Sequence, residues 1–499
     1  MAMVDDELVH QNESYDTSRT LIETNIAIDE KDGHLDELVV QTHPQTGQTI
    51  TLDWDEPGDV DNPHNWPAWK KIVHSAIPAV FGFALTIGTS TFVAGLPYVM
   101  LQFNISRTVA ILPVSLYTLG FTIGPLVAAP LSELYGRRII YWSNLPMLVI
   151  FNAIAAASDN IVVLIIFRFL AGTVVDLWNP KSAGRVALTY ILAPFLGPSL
   201  GPLVGAYVIA QYNNNWKFSI WIILFICAPV GIVMVFMKET SKSRILYLRA
   251  KKRGEKIIGE KDEVPVMKKI GIAMLRPLHM CTVEPLAFFL SVYTGFNFAM
   301  IFSFFGSYNY VYNTVYHFNE KQIGLTFIGL VVGFLFALMT FGFFDATRYR
   351  KEMARTNGRV APEHRLYAAM FGSFLLPIGL FWKWFAWTPR KSVHWIVPVL
   401  AGVPFGWGTL AVFLGSITYL VDTYQVANGA SAVAGNGILR FALGAVFPLF
   451  TIQMYERLGI HWAGSIFAFI SLVMIPVPWI FFWKGKELRK KSRYETSDF

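Results

Sequence analysis

The sequence predicts an all-α polytopic membrane protein built as two pseudo-symmetric six-helix bundles. Three observations carry that reading. Apolar runs of about 20 residues recur from Ile72 to Trp483, each long enough to cross a hydrocarbon core of about 30 Å. The connecting segments alternate between strongly basic and nearly neutral, the pattern that fixes the orientation of membrane helices. One long basic segment, Lys238 to Glu284, divides the runs into two similar sets, a layout shared by many secondary transporters.

The chain opens on an acidic stretch (Asp5, Asp6, Glu7, Asp16, Asp29, Glu30, Asp36, Glu37) with no apolar core of a signal peptide. It offers too little apolar surface to offset ordering entropy, so residues 1–68 are expected as a disordered cytoplasmic tail. Asp53-Trp54-Asp55 and Asn62-Pro63-His64-Asn65-Trp66-Pro67 then form a stiff lead-in at the membrane interface. The first set of spans is expected near Ile72–Pro97, Val109–Pro130, Ile139–Ala157, Ile161–Trp178, Val186–Ala210 and Trp216–Met237. The second set is expected near Pro285–Tyr312, Ile323–Phe344, Leu366–Trp387, Val393–Leu420, Ala430–Met454 and Trp462–Trp483. The domains are therefore 69–237 and 285–483, joined by a basic linker 238–284 and followed by a cytoplasmic tail 484–499.

Composition narrows the function classes. At 54% hydrophobic and 15% charged residues, a soluble fold would have no way to hide its apolar surface. The net charge of +7 does not point to nucleic acid, because the cations lie in alternate loops. Loops after even-numbered spans carry Arg137/Arg138, Lys181/Arg185, the central segment and Arg348/Arg350/Lys351/Arg355/Arg359. The loop after the tenth span is the exception, with only Asp422. Loops after odd-numbered spans carry little beyond Arg107, Lys217, Lys321, Arg390/Lys391 and Arg457. Both termini are thus expected in the cytoplasm. The cysteines, Cys227 and Cys281, form no disulfide framework. No metal-ligand spacing, phosphate loop or nucleophile motif suggests an enzyme. Asn104-Ile105-Ser106 is a glycosylation acceptor pattern placed close to the membrane.

Three motifs point to chemistry. Gly124-Pro125-Leu126 runs into Leu131-Ser-Glu133-Leu-Tyr-Gly136-Arg137-Arg138, where the glycine permits a sharp turn and the acid can latch an arginine in one state. The plain alternative is a positive-inside loop. Asp345-x-x-Arg348 echoes it in the second half. Arg168 lies within an apolar span and is expected to face the bundle interior with a partner; the alternative is a structural arginine held by carbonyls. The fifth span repeats Gly-Pro at a period of four through Pro194, Gly197, Pro198, Gly201, Pro202 and Gly205. Glycines at that spacing let a neighbouring helix approach closely, and the prolines bend the helix. In the seventh span, Phe296, Asn297, Tyr308 and Asn309 mix aromatic and amide groups suited to flat apolar or cationic compounds; lipid-facing bulk is the alternative. The span interiors hold almost no carboxylates, with Glu284, Asp345 and Asp422 at span ends, and His74 in the first span could titrate near neutrality if solvated, an interfacial histidine being the alternative.

These segments resemble the loop, arginine and antiporter motifs of the major facilitator superfamily, within its fungal twelve-span drug–proton antiporters, the multidrug and polyamine group. Ala361-Pro-Glu-His-Arg365-Leu, Tyr419-Leu-Val-Asp422-Thr-Tyr with Asn436 and Arg440, and the Asn62-to-Trp66 lead-in are similar to that group too. The resemblance spans roughly Asp53 to Trp483. It implies a plasma-membrane exporter of lipophilic or cationic drugs or polyamines, driven by proton influx and acting as a monomer without a cofactor. It also implies substrate or coupling roles for Arg168, Phe296, Asn297, Tyr308, Asn309, Asn436 and Arg440. The latch would comprise Glu133, Gly136, Arg137, Arg138, Asp176, Asp345 and Arg348. One departure stands out: Gly172 runs almost directly into Asp176-Leu-Trp178, so about a dozen residues usual in the fourth span are absent. An inactive or sensor-like paralogue is therefore an alternative, and a nutrient symporter or facilitator is another.

Overall fold

The computed structural model describes residues 40–42, 49–51, 53–56, 58–174, 186–253, 257–258, 266–358, 360–386 and 393–497. They divide into two compact units, residues 1–62 with 241–263 and residues 63–240 with 264–499. The basic segment expected as one linker is thus shared between both units.

In the first unit, strands Val40–Thr42, Thr49–Thr51 and Ile257–Ile258 pair antiparallel, with Val40–Thr42 in the middle. The helix Lys242–Arg253 turns its cations onto the acidic lead-in. Arg249 reaches Asp55, Asp59 and Asp61 at 2.9, 2.6 and 2.9 Å, Arg253 reaches Asp55 at 2.6 Å, and Lys242 reaches Asp53 at 2.9 Å. Part of the loop's positive charge is therefore neutralised within the chain. Of the tail expected to be disordered over residues 1–68, residues 40–42, 49–51, 53–56 and 58–68 are described and instead carry two paired strands and these ion pairs; the rest lie outside the described residues. Hydrogen bonding to Arg249 lowers the Asp59 carboxyl to about 2. A depressed carboxylate contributes stability above its unfolded value, and that contribution disappears as pH falls through the folded one. Proteolysis within Lys242–Arg253 is expected to accelerate between about pH 4 and pH 2, checked by mass-spectrometric mapping of limited acid-protease digests.

The second unit holds the membrane helices. In the first half these are Ala68–Ser90, continued through Thr91–Gly95 into Leu96–Phe103, then Arg107–Tyr135, Arg137–Ala157, Ile161–Thr173, Val186–Gln211 and Phe218–Val235. The helix Val266–Val283 follows. The second half comprises Pro285–Tyr316, Glu320–Thr326 with Ile328–Phe344, Tyr367–Ala386, and the helical run Ile396–Leu400 and Gly402–Val473. Gln425 (φ 49°) and Gly459 (φ 77°) break that run into the tenth, eleventh and twelfth crossings, the last completed by Pro476–Arg489. The architecture is the expected all-helical one. Most bounds lie within a few residues of those read from hydropathy. The first and seventh helices run longer, to Ala68–Phe103 and Pro285–Tyr316.

Turn chemistry follows the sequence. Gly136 takes φ 90° between the second and third spans, where a side chain would be strained. Asn104 closes the first hairpin at φ 50°. Asn319 and Gln322 form a reciprocal capping box at the start of the eighth span. The described part of the fourth helix, Ile161–Thr173, is capped by the Asn160 side chain at 2.8 Å from the Val162 amide. It is about 20 Å long at ~1.5 Å per residue, and residues 175–185, which include Asp176, lie outside the described ones.

Candidate functional site

The two halves meet through phenylalanines. Phe195 of the fifth span lies 5.6, 5.6 and 4.8 Å from Phe298, Phe334 and Phe413, and Phe121 of the second lies 5.2 Å from Phe441. On the face opposite the termini the halves also touch. Gln453 donates to Thr108 at 2.9 Å, and Gly324 backs onto Leu203 closely enough that a Cβ there would lie 2.8 Å from its Cα.

Arg440, expected as a substrate or coupling residue, stands at the centre of this seam. Its guanidinium lies 5.3, 4.6 and 4.7 Å from the ring centres of Phe298, Phe413 and Phe441, a cation–π cage. Its Nε is enclosed and has no hydrogen-bond partner among the described residues, while the side chain as a whole is only half-buried. One turn away, Asn436 donates to Ser291 at 3.3 Å and Thr294 at 2.7 Å and leaves its Oδ1 unpartnered. The seventh span packs here, with Gly295 backed by Arg440 and Leu443. Asn297 and, one turn earlier, Tyr293 are both buried polar residues of this span, with the Tyr293 hydroxyl turned to the Asn297 amide. Phe296 does not join this group. It turns to Phe447 and Phe467 at 6.2 and 6.5 Å, because two residues rotate a helix by about 200° and Phe298 takes the central face. Asn309 is also apart, donating to the Phe305 carbonyl at 3.4 Å.

Arg168 is wholly buried within the first half. It donates to the Gly88 carbonyl and, at 3.4 Å, to Asn152 Oδ1, and it lies 4.1 Å from the Tyr117 ring centre. Four spans therefore converge on one guanidinium, and every partner is neutral. Asn152 is fixed in turn by donating to the Leu148 carbonyl at 2.9 Å, and Tyr117 by donating to the Leu85 carbonyl at 2.9 Å.

The fifth-span glycines meet the first span backbone to backbone. A Cβ on Gly197 would strike Thr86 and Ile87, on Gly201 Ser90, and on Gly205 Thr91. The Ser90 hydroxyl donates to the Gly197 carbonyl at 3.1 Å and Thr86 to the Ala193 carbonyl at 3.3 Å. Pro194, Pro198 and Pro202 lie inside the same helix.

The latch expectations change in detail. The side chain of Glu133 and the whole of Asp176 lie outside the described residues. What grips the Arg137–Arg138 turn is Glu239, just after the sixth span. Its oxygens accept the backbone N–H groups of Arg137 and Arg138 at 3.1 Å each, a carboxylate at a helix N-terminus where the dipole favours it. Arg138 itself lies 4.4 Å from the Trp142 ring centre. In the second half Asp345 pairs with Arg350 at 3.5 Å and Arg365 at 3.3 Å, and Arg365 also grips Asp422 at 2.6 Å. Among the described residues Arg348 makes no ion pair with Asp345, whose partners are Arg350 and Arg365. It is exposed at the π-turn Asp345–Tyr349, which carries it away from the bundle. Glu284 accepts from Tyr424, Ser492 and the Arg493 amide at 3.0, 2.7 and 2.7 Å. All three carboxylates picked out at span ends are therefore occupied by donors. His74 hydrogen-bonds through Nδ1 to the Lys70 carbonyl at 2.9 Å and accepts the Lys238 amide at Nε2, 3.2 Å away, which fits an interfacial role.

Lys383 was not singled out by the sequence reading. It is buried in the ninth span, donates to the Tyr308 hydroxyl and sits 4.0 Å from the Phe304 ring centre. A lone lysine in an apolar run is the same signal that marked Arg168.

The family model for the Major Facilitator Superfamily matches residues 79–435. The chain belongs to this superfamily. The transporter is 37% identical over 487 residues to polyamine transporter 4 of Saccharomyces cerevisiae, covering 89% of this chain and 73% of that one. It is 38% identical over 460 residues to the multidrug transporter mdrA of Aspergillus fumigatus, covering 87% and 74%. It is 36% identical over 462 residues to efflux pump FUBT of Fusarium oxysporum, covering 88% and 76%. Among solved structures, the human organic anion transporter MFSD10 superposes with a TM-score of 0.50 at 14% identity, covering 84% of this chain and all of that one, a likeness of fold alone. The chain is an integral membrane transporter and not an enzyme.

Proposed function

We propose that this superfamily member exports lipophilic small molecules from the cytoplasm across the plasma membrane by alternating access, coupled to proton influx, with both termini cytoplasmic. The observation that carries the export reading is the first–fifth span contact. Gly197, Gly201 and Gly205 bring two backbones together along the antiporter motif, next to a phenylalanine seam that a planar substrate could part. The named relatives, a multidrug transporter, an efflux pump and a polyamine transporter, support transport of such compounds. Proton coupling rests on the antiporter motif and on Arg168, which links four spans through neutral partners. Lipophilic compounds suit the phenylalanine seam better than a polyamine, whose several charges find no counter-ion there.

The experiment is efflux of a fluorescent lipophilic compound from transporter-depleted yeast expressing the full chain. Accumulation is expected to fall severalfold below empty-vector cells and to return to their level when an uncoupler is added. Unchanged accumulation removes export, and efflux indifferent to the uncoupler removes proton coupling.

A further inference from the structure

Among the described residues, the charge in the interior of the spans has one sign. Among the described residues between the span ends stand Arg168, Lys383 and Arg440 and no aspartate or glutamate; Asp176, near the end of the expected span Ile161–Trp178, lies outside the described residues. Arg168 donates to a carbonyl and an amide and faces a ring, with its Nε left over, and Lys383 is held by Tyr308 and Phe304. Arg440 differs. It stands where the halves meet, keeps accessible surface, and among the described residues its guanidinium has no hydrogen-bond acceptor, only a cage of three phenylalanines. An uncompensated guanidinium in a low-dielectric interior is costly and normally marks a site. A carboxylate matches its planar fork of donors, and aromatic faces around that fork suit a flat apolar body. The buried Asn297 amide and Tyr293 hydroxyl supply further polar groups on the facing span. A cation in the same place would meet Arg440 at close range with no carboxylate to screen it.

We propose that the central site binds amphipathic monoanions, a carboxylate on a flat apolar body, with Arg440 as the group that neutralises the charge. This names the substrate class of the exporter proposed above and rests on that reading only for the direction of transport.

The test uses the purified full-length protein in detergent and three probes of one shape: 1-naphthoate, the uncharged 1-naphthamide and the cationic 1-naphthylmethylammonium. Equilibrium binding is measured without any gradient, so it stands or falls separately from efflux and proton coupling. 1-Naphthoate is expected to bind roughly tenfold or more tighter than either of the others, the range of one charge-assisted hydrogen bond. Arg440→Gln is expected to erase that preference while leaving 1-naphthamide binding within about twofold, and Arg440→Lys to keep part of it. Equal binding of the three probes, preference for the cation, no binding of 1-naphthoate, or an undiminished preference in Arg440→Gln overturns the proposal. Should neither variant fold, as judged by gel filtration, the ranking of probes on the unaltered protein still decides.

Discussion

Arg168→Ala is expected to reduce efflux to the empty-vector level while the amount of protein at the cell surface stays near that of the unaltered chain. The two halves of that expectation have separate causes. Surface expression survives because no partner of Arg168 is charged. Deleting the guanidinium strands no buried carboxylate, the case that costs about 3–5 kcal/mol. What remains unsatisfied is the Gly88 carbonyl and one Asn152 oxygen, roughly 1–3 kcal/mol each, partly offset by the removal of a buried charge. Transport fails because one side chain ties the fourth span to the first, second and third. Without it the fourth helix, whose described part is only Ile161–Thr173, has lost its polar connection to the bundle. Arg168→Lys separates charge from geometry. A lysine keeps the charge but not the planar fork, so efflux is expected to fall to an intermediate level with thermal stability in detergent close to normal. Efflux at the unaltered level in Arg168→Ala removes the residue from coupling and leaves it as packing.

The spans were legible because lipid imposes a length and a composition on each segment, and only the fourth fell short. The relevant side chains were legible in proportion to how local their signal is. Arg168 announces itself as a lone cation in an apolar run, and Lys383 carries the same mark a few residues from the end of its span. Register on a helix is harder to read. Phe296 and Phe298 look equivalent in the sequence, yet only Phe298 faces Arg440, and nothing short of the packing of the seventh span on the eleventh decides it. Pairings between distant segments were not legible at all. Glu239 holds the Arg137 amide across 102 positions, Arg365 holds Asp422 across 57, and Glu284 receives the Arg493 amide across 209. The apparent Asp345-x-x-Arg348 echo was a local pattern that a π-turn undid, and Arg365, first noted only as part of a motif before the ninth span, is the cation that closes that corner.

A second large effect comes from the smallest substitution available, made at two glycines. Gly205→Ala and Gly342→Ala both place a methyl group in the interior of a membrane helix, and both gain up to about 1 kcal/mol of helix propensity. Their surroundings differ. The added Cβ at Gly342 has nothing within 4 Å, whereas at Gly205 it falls on the Thr91 carbonyl of the first span. A backbone atom has no rotamer to retreat into. Either the two helices separate, which breaks the Ser90–Gly197 and Thr86–Ala193 hydrogen bonds above it, or the strain is retained at about 1–3 kcal/mol or more. Gly342→Ala is therefore expected to match the unaltered protein in melting temperature and efflux. Gly205→Ala is expected to lower the melting temperature in detergent by several degrees and to abolish efflux, because the proposed export rests on the first–fifth contact. If Gly205→Ala leaves efflux intact, the close contact of these helices is packing and the motif owes its effect to its prolines. Pro198→Ala in the same assay then has to account for the loss.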